Sequence, residues 1–140
     1  MAIRIVRLGS PRAADEGLRL GTVRRPPRGV AKDQLAARDF YDVWMPEVAP
    51  SEALLKARLR SIGRPGKEAE DDPAQWKTFA RRYRSEMTRP EPARLLDLLA
   101  ALSHRTNLSV GCYCANEERC HRSVLRALLE ERGAAIDWRL

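Results

Sequence analysis

The sequence predicts an α/β fold: a single-domain sandwich with a small, mainly parallel sheet flanked by about four helices. Residues 3–8 alternate apolar and arginine side chains, as a half-buried strand does. Residues 108–113 form a nearly uninterrupted apolar run, which is typical of a central strand buried on both faces. Helical patterns lie between and after these runs, and such interleaving favours an α/β architecture. We assign residues 1–140 to one domain, because this length suits a single hydrophobic core.

Short strands and a rigid loop are predicted in the first third of the chain. A second alternating run covers residues 18–24 and continues into residues 25–30, where two prolines and a glycine prevent regular structure. Arg25 and Arg28 of this loop are candidates for binding an anion, and the alternative is a solvated basic turn. The mostly apolar run at residues 40–45 predicts a third strand or an apolar connector.

Three helices are predicted between residues 51 and 102. Ser51 is a suitable N-cap for the first helix, and Gly63 ends it. The second helix begins with Asp72 as its cap and Pro73 at its first position, and a leucine-rich third helix follows. The second helix carries aromatic and apolar residues at helical spacing, which we interpret as a core-facing stripe, although such a stripe also suits base stacking. These residues are Trp76, Phe79, Ala80, Tyr83 and Met87.

The last helix is predicted over residues 117–132, with Asn116 as its cap and Gly133 beyond its end. Residues 135–140 predict a final short strand. His104 lies at the expected C-terminus of the third helix, where the helix dipole favours a cation. We therefore assign His104 no catalytic role.

The composition limits the partners and the location. The net charge is +7, and 22 of the 26 basic residues are arginine, which indicates either an anionic partner such as nucleic acid or a coding bias towards arginine. No apolar run approaches the roughly 20 residues of a membrane span, and the first residues lack the apolar centre of a secretory signal. Three cysteines, two of them separated by one residue, favour reduced thiols over a disulfide framework. We therefore expect a cytoplasmic protein with no membrane partner.

The candidate functional site is the segment 112–122, which contains all three cysteines and one of the two histidines. It joins a strand to a helix N-terminus, where unpaired N–H groups and the helix dipole favour an anion. The same surroundings lower the pKa of a thiol and so favour its reactive thiolate. We predict Cys114 or Cys120 as a nucleophile or redox centre, His121 as the proton-transfer partner and Arg122 as part of an anion clamp.

Other interpretations of this segment stay open. A phosphatase-type loop would need arginine where Glu118 and Cys120 stand, so its spacing is not matched. Zinc is a second alternative, since Cys112, Cys114, Cys120 and His121 are suitable ligand types. Their spacing is irregular, however, and neighbours on a helix point about 100° apart. Core filling is a third alternative and our preferred interpretation of Cys112. We expect a small anionic ligand, with nucleic acid as the alternative partner, and no cofactor.

Four motifs, in order along the chain, resemble the domain-of-unknown-function 488 family, which includes the YeaO-like bacterial proteins. The motifs are Arg-Pro-Pro-Arg-Gly-Val at 25–30, Tyr-Asp-Val-Trp at 41–44 with Ala-Pro-Ser at 49–51, Trp-x2-Phe-x3-Tyr-x2-Glu at 76–86, and Cys-x5-Cys-His-Arg at 114–122. The resemblance extends from about residue 3 to residue 132 and implies a compact bacterial α/β domain, without a particular reaction. The YeaO-like branch has Asn-His-Ala in place of Cys120, His121 and Arg122. A cysteine mechanism would therefore belong to one branch of the family.

The resemblance also implies that the loops 25–29 and 114–121 both follow strands. In a parallel α/β sheet, loops at the carboxyl ends of strands line the ligand crevice. We therefore expect the arginines, thiols and histidine of the two loops to converge, with Tyr83 and Glu86 as wall residues of the pocket. An anion-binding pocket with thiolate chemistry is our leading hypothesis. The alternatives are a nucleic-acid-binding module and a zinc-binding domain.

Overall fold

The structure is a computed structural model that describes residues 1–62, 72–114 and 119–137. Five strands are present in these residues: β1 (Ile3–Arg7), β2 (Leu18–Gly21), β3 (Val43–Trp44), β4 (Leu108–Cys112) and β5 (Ile136–Asp137). The α-helices are α1 (Glu52–Ile62), α2 (Pro73–Glu86), α3 (Pro90–Leu102) and α4 (His121–Glu131). Two short 3-10 helices lie at Lys32–Gln34 and Pro46–Val48.

The strands form one sheet in the order β3-β2-β4-β1-β5, and every pairing is parallel. The predicted α/β class with a small parallel sheet and four flanking helices is confirmed. Strand β4 lies in the centre, and its five residues are all buried. This burial explains its continuous apolar character, because neither face of the strand contacts solvent.

The apolar faces of the four helices pack on one face of the sheet. Ile5, Leu20 and Val110 of three neighbouring strands belong to a single core with residues from every helix. The connections from β3 to β4 and from β4 to β5 run in the same direction across the sheet. The right-handed crossover rule therefore places both connections, and the helices within them, on the same face. Core residues of the helices include Leu54, Tyr83, Leu96 and Leu125.

The opposite face of the sheet holds a buried ion pair that fastens the nearby loops. The guanidinium of Arg19 donates two hydrogen bonds to Glu16, with Nε–Oε2 at 2.7 Å and Nη2–Oε1 at 2.8 Å. Ser109 of β4 donates to the same carboxylate at 2.8 Å. Arg19 also donates to the carbonyls of Ser10 and Asp39, at 2.8 and 2.7 Å. This network is buried yet satisfied, as a charged pair inside a protein must be.

The helix starts at Ser51 and Asp72 agree with the sequence. Ser51 Oγ accepts a hydrogen bond from the Leu54 amide (3.2 Å), and Asp72 Oδ1 accepts one from the Ala74 amide (2.9 Å). The aromatic stripe of α2 faces the core, and Tyr83 is fully buried. Base stacking by this stripe is therefore not supported. Among the described residues, no helix combines the length and apolar character that crossing a bilayer requires.

Three predicted boundaries are wrong. Strand β2 ends at Gly21 instead of continuing to residue 24. The third strand is limited to Val43–Trp44 instead of residues 40–45. The last helix begins at His121 instead of residue 117, and its N-cap is Cys120. The backbone of Cys120 is extended (φ −116°, ψ 151°), so this residue cannot belong to the helix. The predicted cap Asn116 lies outside the described residues, as do the predicted helix end at Gly63 and the last three residues of the predicted final strand.

Candidate functional site

The loops that follow β2 and β4 lie at the same edge of the sheet. The two strands are adjacent and parallel, with Leu20 opposite Val110 and Gly21 opposite Gly111. Thr22, the first residue after β2, donates to the Gly111 carbonyl through its amide (3.1 Å) and its hydroxyl (2.8 Å). The start of one loop is thus bonded to the end of the neighbouring strand.

A cavity of about 500 Å³ lies between these two loops and the helices α1 and α2. Five of the candidate residues from the sequence line it, drawn from both loops and from the start of α4. These are Arg25, Arg28, Cys114, Cys120 and His121. The two loops therefore form one concave site at the carboxyl edge of the parallel sheet, which is where such folds bind ligands.

The three thiols are in contact at the base of this cavity. The Sγ atom of Cys112 lies 3.6 Å from that of Cys114 and 3.3 Å from that of Cys120. Cys112 and Cys120 are buried, whereas Cys114 is exposed. Cys112 packs with Leu8 and other apolar residues, as the core-filling interpretation predicts, but it also contacts both neighbouring thiols.

His121 is held in one orientation by contacts on two sides. Its Nε2 lies 2.7 Å from the carbonyl oxygen of Thr22, which can only accept a hydrogen bond, so Nε2 carries a proton. Nδ1 then presents a lone pair, and it lies 3.8 Å from Cys120 Sγ. The ring of Tyr83 packs edge-on against the imidazole at 5.4 Å between centroids. His121 is therefore positioned to accept the proton of the Cys120 thiol.

The three thiols differ in pKa because their surroundings differ. Hydrogen bonds from Cys112 and Cys114 lower the pKa of Cys120, and His121 acts in the same direction against the effect of burial. Hydrogen bonding to Cys114 and Cys120, together with burial, raises the pKa of Cys112. The pKa of Cys114 rises to about 11, because contact with Cys120 and burial outweigh the hydrogen bond from Cys112. Cys120 is thus the thiol that carries negative charge most readily.

Arg122 is buried beside the thiols but is not among the residues that line the cavity. Its Nη2 donates a hydrogen bond to the carbonyl oxygen of Cys114, and its charge favours the thiolate form of that residue. The Nε of Arg122 has no hydrogen-bond partner among the described residues. The contacts place Arg122 as a support for the cysteine loop instead of as a direct part of the cavity wall.

The proline-rich loop is joined to the cysteine loop by Arg25. The carbonyl oxygen of Arg25 accepts a hydrogen bond from the Tyr113 hydroxyl (2.9 Å), and its guanidinium forms an ion pair with Glu52. Both side chains of this ion pair are half exposed, so an incoming anion must compete with Glu52 and with water. Arg28 also lines the cavity.

Tyr83 and Glu86 lie in different places. Tyr83 is fully buried behind His121 and donates to the carbonyl of Val48 at 2.6 Å, so it supports the imidazole without lining the cavity. Glu86 accepts a hydrogen bond from the Ser51 amide (2.8 Å) and lines a separate cavity. The structure therefore brings Tyr83 to the site and leaves Glu86 as an anchor for the start of α1.

Sequence reasoning did not assign several residues of the cavity wall to the site, among them Arg58, Phe79 and Arg119. Arg58 is only 6% exposed, and its guanidinium lies over the rings of Trp76 (5.1 Å) and Phe79 (5.7 Å). One signal was present, because Arg58 follows the buried Leu54 by one helical turn and so occupies a core-facing position of α1. An arginine at such a position needs a partner that only the tertiary structure shows.

The cluster also has the geometry of a small metal site. One ligand atom each from Cys112, Cys120 and His121 lies within 4.8 Å of the other two, and all three residues are buried. The expectation that Cys120 and His121 diverge is wrong, because it assumed that both lie on a helix, whereas Cys120 is the extended N-cap. Thiolate and imidazole are the ligands that zinc prefers, so the donor set fits this ion.

Fold and site together define the class of this protein: a parallel α/β domain with a buried Cys/His cluster beside a basic cavity at the carboxyl edge of its sheet. A family model described as the active DUF488-N3 subclade matches residues 3–133. The chain therefore belongs to the domain-of-unknown-function 488 family, and the resemblance inferred from its motifs is confirmed. No curated protein and no solved structure matches the chain.

Proposed function

We propose that this protein is an enzyme that binds a small anionic ligand in the cavity and uses the thiolate of Cys120 as its reactive group. One observation carries the proposal: the Cys120 sulfur lies at the start of α4, lines the cavity and contacts the unprotonated nitrogen of His121. A nucleophile next to an oriented base is the arrangement that activates a thiol. The description of the matching family model as an active subclade also supports an activity.

Each neighbouring residue has a distinct part in this proposal. His121 accepts the thiol proton, and the Thr22 carbonyl holds the imidazole in the required tautomer. Cys114, whose pKa is about 11, stays protonated at neutral pH and donates a hydrogen bond to the Cys120 thiolate. The positive end of the α4 dipole favours the same negative charge. A cytoplasmic location, where thiols remain reduced, belongs to this proposal.

A second part of the proposal concerns the charged ligand. Arg25 and Arg28 attract its anionic group, and Arg122 fixes the cysteine loop through the Cys114 carbonyl. Arg119 adds a further positive charge to the cavity wall. Arginine suits this task because its planar guanidinium matches carboxylate and phosphate oxygens.

Alkylation by iodoacetamide, followed by mass spectrometry of each cysteine across a range of pH, tests the nucleophile. We expect Cys120 to react at neutral pH faster than a free cysteine, whose pKa is about 8.5. Cys112 and Cys114 should react slowly because their pKa values are raised. The proposal fails if all three cysteines react with the pH dependence of ordinary thiols.

Zinc binding is a second candidate function, favoured by the short distances among the Cys112, Cys120 and His121 ligand atoms. These residues would hold the ion, which would supply structural cross-linking between β4 and α4. Elemental analysis of the purified protein tests this candidate function. We expect one zinc ion per chain if it is correct. Bound zinc would also suppress alkylation of Cys120 until a chelator is added. Metal-free protein with a reactive Cys120 would exclude it.

Nucleic-acid binding stays a prediction based on the net charge of +7. It predicts an affinity for single-stranded DNA that falls steeply between about 50 and 200 mM salt. Fluorescence anisotropy with a labelled oligonucleotide measures this dependence. An affinity that does not respond to salt, or no binding at all, would contradict the prediction.

A further inference from the structure

We infer that the ligand of this cavity is an organic anion with a flat apolar body, and that Arg58 binds its anionic group. This inference rests on the proposed function, since it assumes that the same cavity is the ligand site. It goes further by naming the class of ligand and a binding residue that lies outside both loops.

The cavity wall is chemically divided. One part is apolar and comes from the proline-rich loop and from two helices, whose lining residues include Pro26, Pro27, Leu55, Leu59 and Phe79. The proline rings are rigid and flat, and burying a flat apolar group against such a wall is favourable by about 25 cal/mol per Å². A hydrated inorganic anion would gain nothing from this part of the wall.

The other part of the wall is basic. It contains five arginines, and none of the described lining residues is acidic. The arginines are Arg24, Arg25, Arg28, Arg58 and Arg119. A ligand that fills the cavity therefore needs a negative group as well as an apolar body.

Arg58 differs from Arg25 in burial and orientation. Arg25 is 59% exposed, whereas Arg58 is 6% exposed and its guanidinium lies over the Trp76 and Phe79 rings. Contact with two aromatic rings restrains the guanidinium, and its N–H donors match carboxylate and phosphate oxygens. A buried charge is also less screened by water than an exposed one. The anionic group of the ligand therefore binds Arg58 in this inference.

The size of the cavity limits the ligand. Its volume of about 500 Å³ falls within the range of roughly 300–1,000 Å³ that is usual for small-molecule sites. The ligand is therefore a small molecule, with its apolar body against Phe79 and the prolines. Its anionic group contacts Arg58, and its reactive atom faces Cys120.

Isothermal titration calorimetry of the full-length protein with phenyl phosphate, inorganic phosphate and phenol tests the inference. Phenyl phosphate combines both features, and each of the other probes has only one. We expect phenyl phosphate to bind at least about tenfold more tightly than either. Inorganic phosphate lacks the phenyl ring, whose burial contributes more than the free energy of a tenfold change, and phenol lacks the anionic group that contacts Arg58. Equal binding of inorganic phosphate or of phenol, or no binding of phenyl phosphate, would overturn the inference.

Two variants examine the assigned residues. Arg58→Lys keeps the charge but loses the planar guanidinium, so it should weaken phenyl phosphate binding about tenfold and leave phenol unaffected. Phe79→Leu should weaken the binding of both phenyl phosphate and phenol. It is the second test if Arg58→Lys does not fold. Arg84→Lys is the matched control, because Arg84 is exposed and pairs with Glu131 away from the cavity. Equal effects of Arg58→Lys and Arg84→Lys would refute the assignment of Arg58.

Failure of this inference is distinguishable from failure of the proposed function. The alkylation rate of Cys120 is measured on the same preparation of protein without any ligand. A fast-reacting Cys120 in a protein that does not bind phenyl phosphate overturns only the ligand class. A slow Cys120 removes the proposed chemistry, and tight binding of phenyl phosphate would then still support the ligand class.

Discussion

Three structural constraints act together on Cys120. Its backbone caps α4, its sulfur contacts Cys112, and its neighbour His121 turns a ring nitrogen towards it. The cap position explains the contact with His121, because the side chain of an extended residue before a helix can approach that of the first helical residue. Cysteine is not a favoured N-cap, and its side chain makes no hydrogen bond to the first turn. Helix capping therefore does not explain why a cysteine stands at this position.

A substitution of His121 separates its effect on the reactivity of Cys120 from its effect on folding. In His121→Gln, the side-chain amide can still donate to the Thr22 carbonyl, but nothing replaces the Nδ1 acceptor that faces Cys120. We expect the pH profile for Cys120 alkylation to shift upward while the melting temperature changes little. Tyr83→Phe is a control that keeps the ring against His121 and removes only the hydroxyl. An unchanged profile in His121→Gln would show that the histidine does not activate the thiol.

Glu16 provides a pH-dependent prediction on the opposite face of the sheet. Burial raises the pKa of this carboxyl, but hydrogen bonds from Arg19 and Ser109 and the charge of Arg19 together lower it below its usual range. A lowered pKa in the folded state stabilises the protein above the unfolded value, about 4.3, and this contribution is lost as pH falls through the folded value. Stability should therefore decrease in acid, and part of that decrease should be absent in Glu16→Gln.

The size of the Glu16 effect can also be estimated. Glu16→Gln leaves the buried charge of Arg19 without its counter-ion, so it should cost about 3–5 kcal/mol at pH 7. Urea unfolding at pH 7 and at about pH 3.5 measures both the cost and its reduction in acid. Asp15→Asn is the neighbouring control, because the Asp15 side chain is 59% exposed in its pair with Arg4 and its loss should cost less than about 1 kcal/mol. Equal costs for the two variants would contradict the importance of the buried pair.

At the scale of the elements, the central strand β4 positions the site by packing closely against β1. A Cβ atom on Gly111 would lie 2.7 Å from the Val6 carbonyl oxygen and from the Leu8 side chain. The carbonyl belongs to the strand pairing and cannot move freely. Gly111 therefore lets the end of β4, with Cys112, lie close to its neighbour.

Gly111→Ala should destabilise the fold by about 1–3 kcal/mol, because it overpacks the contact between β4 and β1. Urea unfolding measures the cost. Gly29→Ala is a useful comparison: no atom lies within 4 Å of the added Cβ, although its φ of +74° causes some strain. A smaller loss in Gly111→Ala than in Gly29→Ala would show that the close contact relaxes without cost.

At the scale of the whole molecule, the fold was more predictable than the site. The alternating run of β1 and the apolar run of β4 were sufficient to place those strands, since burial determines both patterns. Strand order was not predictable, because it depends on which way each connection crosses the sheet. The start of α4 was missed, because a cysteine cap lacks the usual signal of Ser, Thr, Asp or Asn.

The site was predictable where it depends on the parallel sheet. Loops at the carboxyl ends of adjacent parallel strands meet, which brings Arg25 and Arg28 to the same cavity as Cys120. Arg58 was missed because its position depends on how α1 packs on the aromatic side chains of α2. Glu86 belongs to the same helix as Tyr83, yet it lies at another cavity, since the two side chains point to different neighbours.

The cavity is assembled from segments that are distant along the chain, from Val23 on the loop after β2 to His121 at the start of α4. An unfolded chain has no such arrangement, so a compound that fits the cavity binds only the native state. By mass action, a ligand at 100 times its dissociation constant stabilises that state by about 2.7 kcal/mol. The melting temperature of the protein should therefore identify its ligand among candidate compounds, without knowledge of the reaction. A compound whose anionic group contacts Arg58 is recognised because its shift is smaller in Arg58→Lys.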